Sequence, residues 1–215
     1  MNAFLKTSLV GKIRNLHDFK NEALYPVFEA VVNSIQAIQE AKRNGDGLIE
    51  VRIIRDSQIS MFCDEFEPLK INGFEIVDNG IGFNLANYDS FSTSDSIYKL
   101  DKGCRGVGRF MWLKAFRKAE IDSIFQHDGG LFRRKFLFDV SFTPDSGQAI
   151  EAYDSDEFTS CRTIVRLDGF YPDYRDSQSA YKTPEKIAQR ILEHCLAYFI
   201  TENAPKIVVI DETDS

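Results

Sequence analysis

At 215 residues and 43% hydrophobic content, the chain is long enough for one sizeable core, of the kind that buries roughly 70% of the surface an extended chain exposes. Its 33 acidic against 26 basic residues, a net charge of -7, set up a field that repels a polyphosphate backbone and argue against direct nucleic-acid binding by this segment. No apolar run approaches the ~20 residues of a membrane span, the N-terminal stretch is interrupted by Lys6, Lys12 and Arg14, and Cys63, Cys104, Cys161 and Cys195 are too scattered for a metal-binding spacing, so a reduced, cytoplasmic setting is expected.

Residues 1 to 20 read as an N-terminal arm and 21 to 215 as one domain. From 25 to about 43 the spacing of Phe28, Val31, Val32, Ile35 and Ile38 predicts a helix with Pro26 in its first turn, ended by "NGDG" at 44 to 47. Two β-rich runs follow, 48 to 56 and 74 to 79, separated by a polar stretch with room for a poorly paired strand. A short helix is expected after Gly82. The Ser-, Asp- and Gly-rich segment 90 to 105 has no period and reads as a long functional loop, followed by a helix from about Val107 to Ala119. Strand-like runs near 119 to 126, 131 to 142, 148 to 154 and 161 to 168 suggest an antiparallel meander. A Thr-capped helix over 183 to 200 and a last strand, "KIVVI", complete the chain. The order predicts an α+β, two-layer α/β sandwich, with a mixed, mainly antiparallel sheet and helices on one face.

Three stretches carry polar chemistry. On the first helix Glu29, Asn33 and Gln36 fall opposite the apolar stripe, which by itself describes the wet face of an amphipathic helix. In "IVDNGIGF", 76 to 83, Asp78-Asn79-Gly80 could be a plain turn, yet such a turn does not require Gly82, which permits close backbone approach. A buried Asp78 at a strand end could accept a hydrogen bond from an exocyclic amine and so select adenine. In "KGCRGVGRFMWLKAF", 102 to 116, Gly103, Gly106 and Gly108 precede a helix, so backbone N–H groups and the helix N-terminus can converge on phosphate. The spacing is neither that of a P-loop nor that of a dinucleotide fold. The basic clusters Arg117-Lys118 and Arg133-Arg134-Lys135 read as solvated faces.

Taken in order, Glu29-x-x-x-Asn33, Asp78-x-Gly80-x-Gly82 and Gly103-x-x-Gly106-x-Gly108 resemble the N, G1 and G2 boxes of the GHKL ATPases, the superfamily of type II topoisomerase subunits, heat-shock chaperones, histidine kinases and mismatch-repair proteins. "RTIVRL", 162 to 167, looks like the family's later strand. The resemblance implies a Bergerat-type fold binding ATP and Mg2+, with Asn33 as the metal ligand and Glu29 as the general base that activates water against the γ-phosphate. It further implies that Asp78 and Thr163 hold the adenine and that Gly80, Gly82, Lys102, Gly103, Arg105, Gly106, Val107 and Gly108 surround the nucleotide. Gln36 stands where many relatives carry an aspartate. The activity expected is slow ATP hydrolysis that works as a conformational or dimerisation switch. The expected partners are ATP, the downstream domains of a larger protein, and a second copy of the chain met through the N-terminal arm or the 90 to 105 lid. A non-hydrolysing ATP-binding module is the alternative, and a histidine kinase using His17 is a more distant one.

Overall fold

The computed structural model describes residues 9–43, 45–56, 69–93, 108–154, 159–200 and 203–211. Their strands are β1 (Leu48–Arg55), β2 (Ile71–Asp78), β3 (Phe116–His127), β4 (Gly130–Phe138), β5 (Glu151–Ala152), β6 (Arg162–Phe170) and β7 (Lys206–Asp211). They form one seven-stranded sheet in the order β5-β4-β3-β6-β2-β1-β7. Every described pairing is antiparallel except β1 with β7. The helices are α1 (Leu9–Asn15), α2 (Tyr25–Glu40), α3 (Leu85–Ser92), α4 (Gly108–Ala115), α5 (Pro172–Arg175) and α6 (Pro184–Phe199).

Period-two alternation decides which sheet face is covered. Ile49, Val51 and Ile53 of β1, Phe74 and Ile76 of β2, Ala119 and Ile121 of β3, and Val165 and Leu167 of β6 are buried in one core with Val27, Phe28, Val31 and Ile35 of α2 and Ile187, Ile191 and Cys195 of α6. The result is a two-layer α/β sandwich. At its far end Phe91 of α3 lies 5.0–5.9 Å from the rings of Phe83, Phe136, Phe138 and Phe142, an aromatic cluster that fixes α3 on β4. The side-chain oxygen of Asn84 accepts from Asn87 N–H at 2.9 Å and caps α3.

Several local expectations need correction. The segment beginning at Ser90 is not loop at its start, because residues 90 to 92 finish α3 and Phe91 is held by the aromatic cluster. The helix expected to reach Ala119 stops at Ala115, since the ladder to β6 begins with Phe116 opposite Phe170. The run at 148 to 154 supplies only the two residues of β5. The strands after α4 are not a simple meander either: β6 returns to the opposite side of β3 from β4 and joins it to β2. Residues 57–68 and 94–107, which include the rest of the loop expected over 90 to 105, lie outside the described residues.

Candidate functional site

The C-terminal end of β2 carries Asp78, which is 4% exposed. Its carboxylate accepts hydrogen bonds from Ser34 Oγ of α2 and from Gly80 N–H, both at 2.8 Å. Burial still outweighs these two bonds and pushes the carboxyl up to about 6. Asn79 braces the turn from the other side, accepting from Leu48 N–H at 2.9 Å and donating to the Asp46 carbonyl at 2.8 Å.

The glycines of this turn have packing reasons. A Cβ on Gly80 would lie 2.7 Å from the Ala37 Cβ of α2, and Ile81 N–H donates to the Ala37 carbonyl at 3.1 Å. Gly82 has a φ of +81°, and a Cβ there would lie 2.8 Å from the Ile124 carbonyl oxygen of β3. The close approach anticipated at Gly82 is therefore made by β3.

Thr163 of β6 sits directly opposite Asp78, Ser123 of β3 opposite Thr163, and Arg134 of β4 opposite Ser123. Four neighbouring strands thus contribute one polar row to an otherwise apolar inner face. Ser123 Oγ and Thr163 Oγ1 are 3.0 Å apart, and Phe83 N–H donates to Ser123 Oγ at 2.9 Å. Arg134 corrects the expectation of a solvated basic cluster. It is 1% exposed, its guanidinium lies 4.2 Å from the Tyr88 ring and 5.4 Å from that of Phe125, and alternation along β4 turns it inward. Arg133, on the other face, pairs with Asp122 at 2.6 Å.

Glu29, on α2, is half-buried, and burial raises its carboxyl above the usual range. A Cβ on Gly108, the first residue of α4, would collide with Glu29 Oε2 and lie 3.0 Å from its Cδ. The glutamate of the first motif therefore touches the last glycine of the third, at a helix N-terminus whose partial positive charge favours an anion. No described residue hydrogen-bonds this carboxylate. Cys195 of α6 lies near enough behind it that Glu29 adds to the effect of burial in pushing the thiol up to about 11. Asn33, one turn further along α2, is exposed. Gln36 is 1% exposed rather than wet, because α2 is packed against α4 and α6 as well as the sheet, and the 80–82 turn lies over Ala37.

The structure thus places Glu29 beside Gly108 near the start of α2, and gathers Asp78, Gly80, Gly82 and Thr163 where Ser34 and Ala37 of α2 meet the sheet, with Asn33 exposed between the two. Lys102, Gly103, Arg105, Gly106 and Val107 lie outside the described residues. Two hydroxyls escaped the motif reading. Ser34 follows Asn33 within an apolar run, and Ser123 interrupts the inward row Ala119, Ile121, Phe125; a lone serine among buried positions is the signal for both. As for a metal, Asn33 offers a single carboxamide oxygen, and the described residues hold no group of three or more His, Cys, Asp or Glu that could bind an ion. A Mg2+ ion held there would have to take its remaining ligands from water and phosphates. The chain matches no model of a known protein family and no curated protein sequence.

Proposed function

We propose that this chain binds ATP with Mg2+ and hydrolyses it slowly, as a nucleotide-controlled conformational or dimerisation switch within a larger protein. The observation that carries this reading is that α2 reaches both other motifs at once, giving Ser34 to the buried Asp78 and placing Glu29 against Gly108. A buried carboxylate held at the edge of its charged range can accept a further hydrogen bond from an exocyclic amine, whereas a carbonyl in the same place would set one acceptor against another. Thr163, directly opposite, offers a hydroxyl beside it.

Glu29 would orient a water and take its proton. Its raised proton affinity brings it closer to the operating pH, which is where a general base works best, and the bare Gly108 leaves its carboxylate room. The N-terminus of α4 would face the phosphates. Asn33 would ligate Mg2+, an ion that when bound neutralises phosphate charge. Glu29→Ala tests the reading: ATP should still bind while hydrolysis is lost. Turnover at the wild-type rate would refute the role of Glu29, and a wild-type chain that binds ATP without turnover would show a non-hydrolysing module instead.

A further inference from the structure

We infer that Ser123 is a positioning residue for base recognition: it holds the Gly82 turn and the Thr163 hydroxyl in one register, so that Thr163 can donate to a ring-nitrogen acceptor lying next to an exocyclic amine. This rests on the ATP reading and adds to it the residue that stands behind Thr163 and the Gly82 turn.

Ser123 is 0% exposed, and the other inward residues of β3, Ala119, Ile121 and Phe125, are apolar. A hydroxyl buried in such a row costs free energy unless its bonds are used. Ser123 has one proton and two lone pairs. Phe83 N–H occupies a lone pair at 2.9 Å. The Arg162 carbonyl, 3.4 Å away, can only accept, whereas Thr163 Oγ1 at 3.0 Å can donate or accept.

Two arrangements of the protons are open to the pair. In the first, Thr163 donates to Ser123, and Ser123 sends its own proton to the Arg162 carbonyl across a contact at the long limit for an O–H donor. In the second, Ser123 donates to Thr163, and the Thr163 proton turns toward whatever lies beside Asp78. Moving from the first to the second forfeits only the long bond, so an acceptor beside Asp78 can draw the pair across at small cost. A hydroxyl that accepts a bond is also a better donor for the next one. The same serine oxygen anchors Phe83 N–H, one residue after Gly82, whose backbone is wedged against Ile124 and Phe125. The turn that follows Asp78 and the hydroxyl opposite Asp78 are therefore set by one side chain.

A double-mutant cycle separates this role from a merely structural one. Wild type, Ser123→Ala, Thr163→Val and the double variant are titrated with ATP and with 1-deaza-ATP, which lacks the ring nitrogen, and each is checked for cooperative melting. Ser123→Ala should weaken ATP about tenfold, the ~1.4 kcal/mol of one neutral hydrogen bond. In the Thr163→Val background, and for 1-deaza-ATP, the same change should cost clearly less, about threefold at most, because only the Phe83 N–H anchor of the Gly82 turn is then lost. An equal loss in both backgrounds, an equal loss for the analogue, or no loss at all would overturn the role of Ser123 while leaving the ATP reading intact. A wild-type chain that binds neither nucleotide would overturn that reading, and the Ser123 role with it. If Ser123→Ala fails to fold, Ser123→Cys keeps a weaker donor and acceptor in a slightly larger side chain and should give a smaller loss with the same dependence on Thr163.

Discussion

Replacing Asp78 by asparagine removes a charge from the site without changing its shape, and the effect should appear in stability even with no ligand present. Burial raises this carboxyl from 3.8 to about 6. Between these values the folded chain keeps the proton and the unfolded chain releases it, so stability falls as pH rises through the window, and the full cost is present above it. The displacement corresponds to about 3 kcal/mol at 1.36 kcal/mol per pH unit. The substituted carboxamide cannot ionise. Its oxygen still accepts from Gly80 N–H, while Ser34 must turn from donor to acceptor, a change worth about 1 kcal/mol that does not vary with pH. Urea denaturation of both proteins at a series of pH values supplies the difference in unfolding free energy, in which other titrating groups largely cancel. That difference should shift by about 3 kcal/mol in favour of the asparagine variant between about pH 3 and pH 8. A difference that stays constant with pH would refute the claim that a charged Asp78 is held there against its burial cost.

Asn33→Ala should weaken ATP far more with Mg2+ present than without it, measured by paired titrations; equal losses would make Asn33 structural. Gly108→Ala forces a methyl against Glu29 Oε2 and should lower turnover by about tenfold or more while the melting temperature moves little. Hydrolysis in a pH series should fall on the acid side at a pH above the ordinary glutamate range, because burial raises Glu29 and the base must be ionised to act; an acid limb at the ordinary value would contradict its placement. Phe138→Ala, in the ring cluster that seats α3, should cost about 3–5 kcal/mol in denaturant unfolding.

How much was legible in the sequence follows from which interactions decide each feature. Helices α2 and α6 declare themselves through long 3.6-residue periods, with Pro26 and Thr183 marking their starts. The end of α4 did not, because whether residues 116 to 119 continue a helix depends on β6, about fifty residues away in the chain, and no local pattern encodes that pairing. Asp78 was legible as a strand-end carboxylate before a glycine-bearing turn. Its donor Ser34 was hidden, since serine inside an apolar helical run is ordinarily neutral in meaning until the sheet it faces is known. Arg134 shows the same limit in reverse: three consecutive basic residues look solvated, and only the strand's alternation, together with Tyr88 and Phe125, buries the middle one.

The central claim is that Asp78 selects adenine at a nucleotide site. It is tested most directly by calorimetric titration of the wild-type chain and Asp78→Asn with ATP and GTP in the presence of Mg2+. The wild type should bind ATP and show no detectable binding of GTP, and the variant should lose ATP binding while still melting cooperatively. Equal affinity of the two proteins for ATP, or a wild-type chain that takes up neither nucleotide, would contradict it.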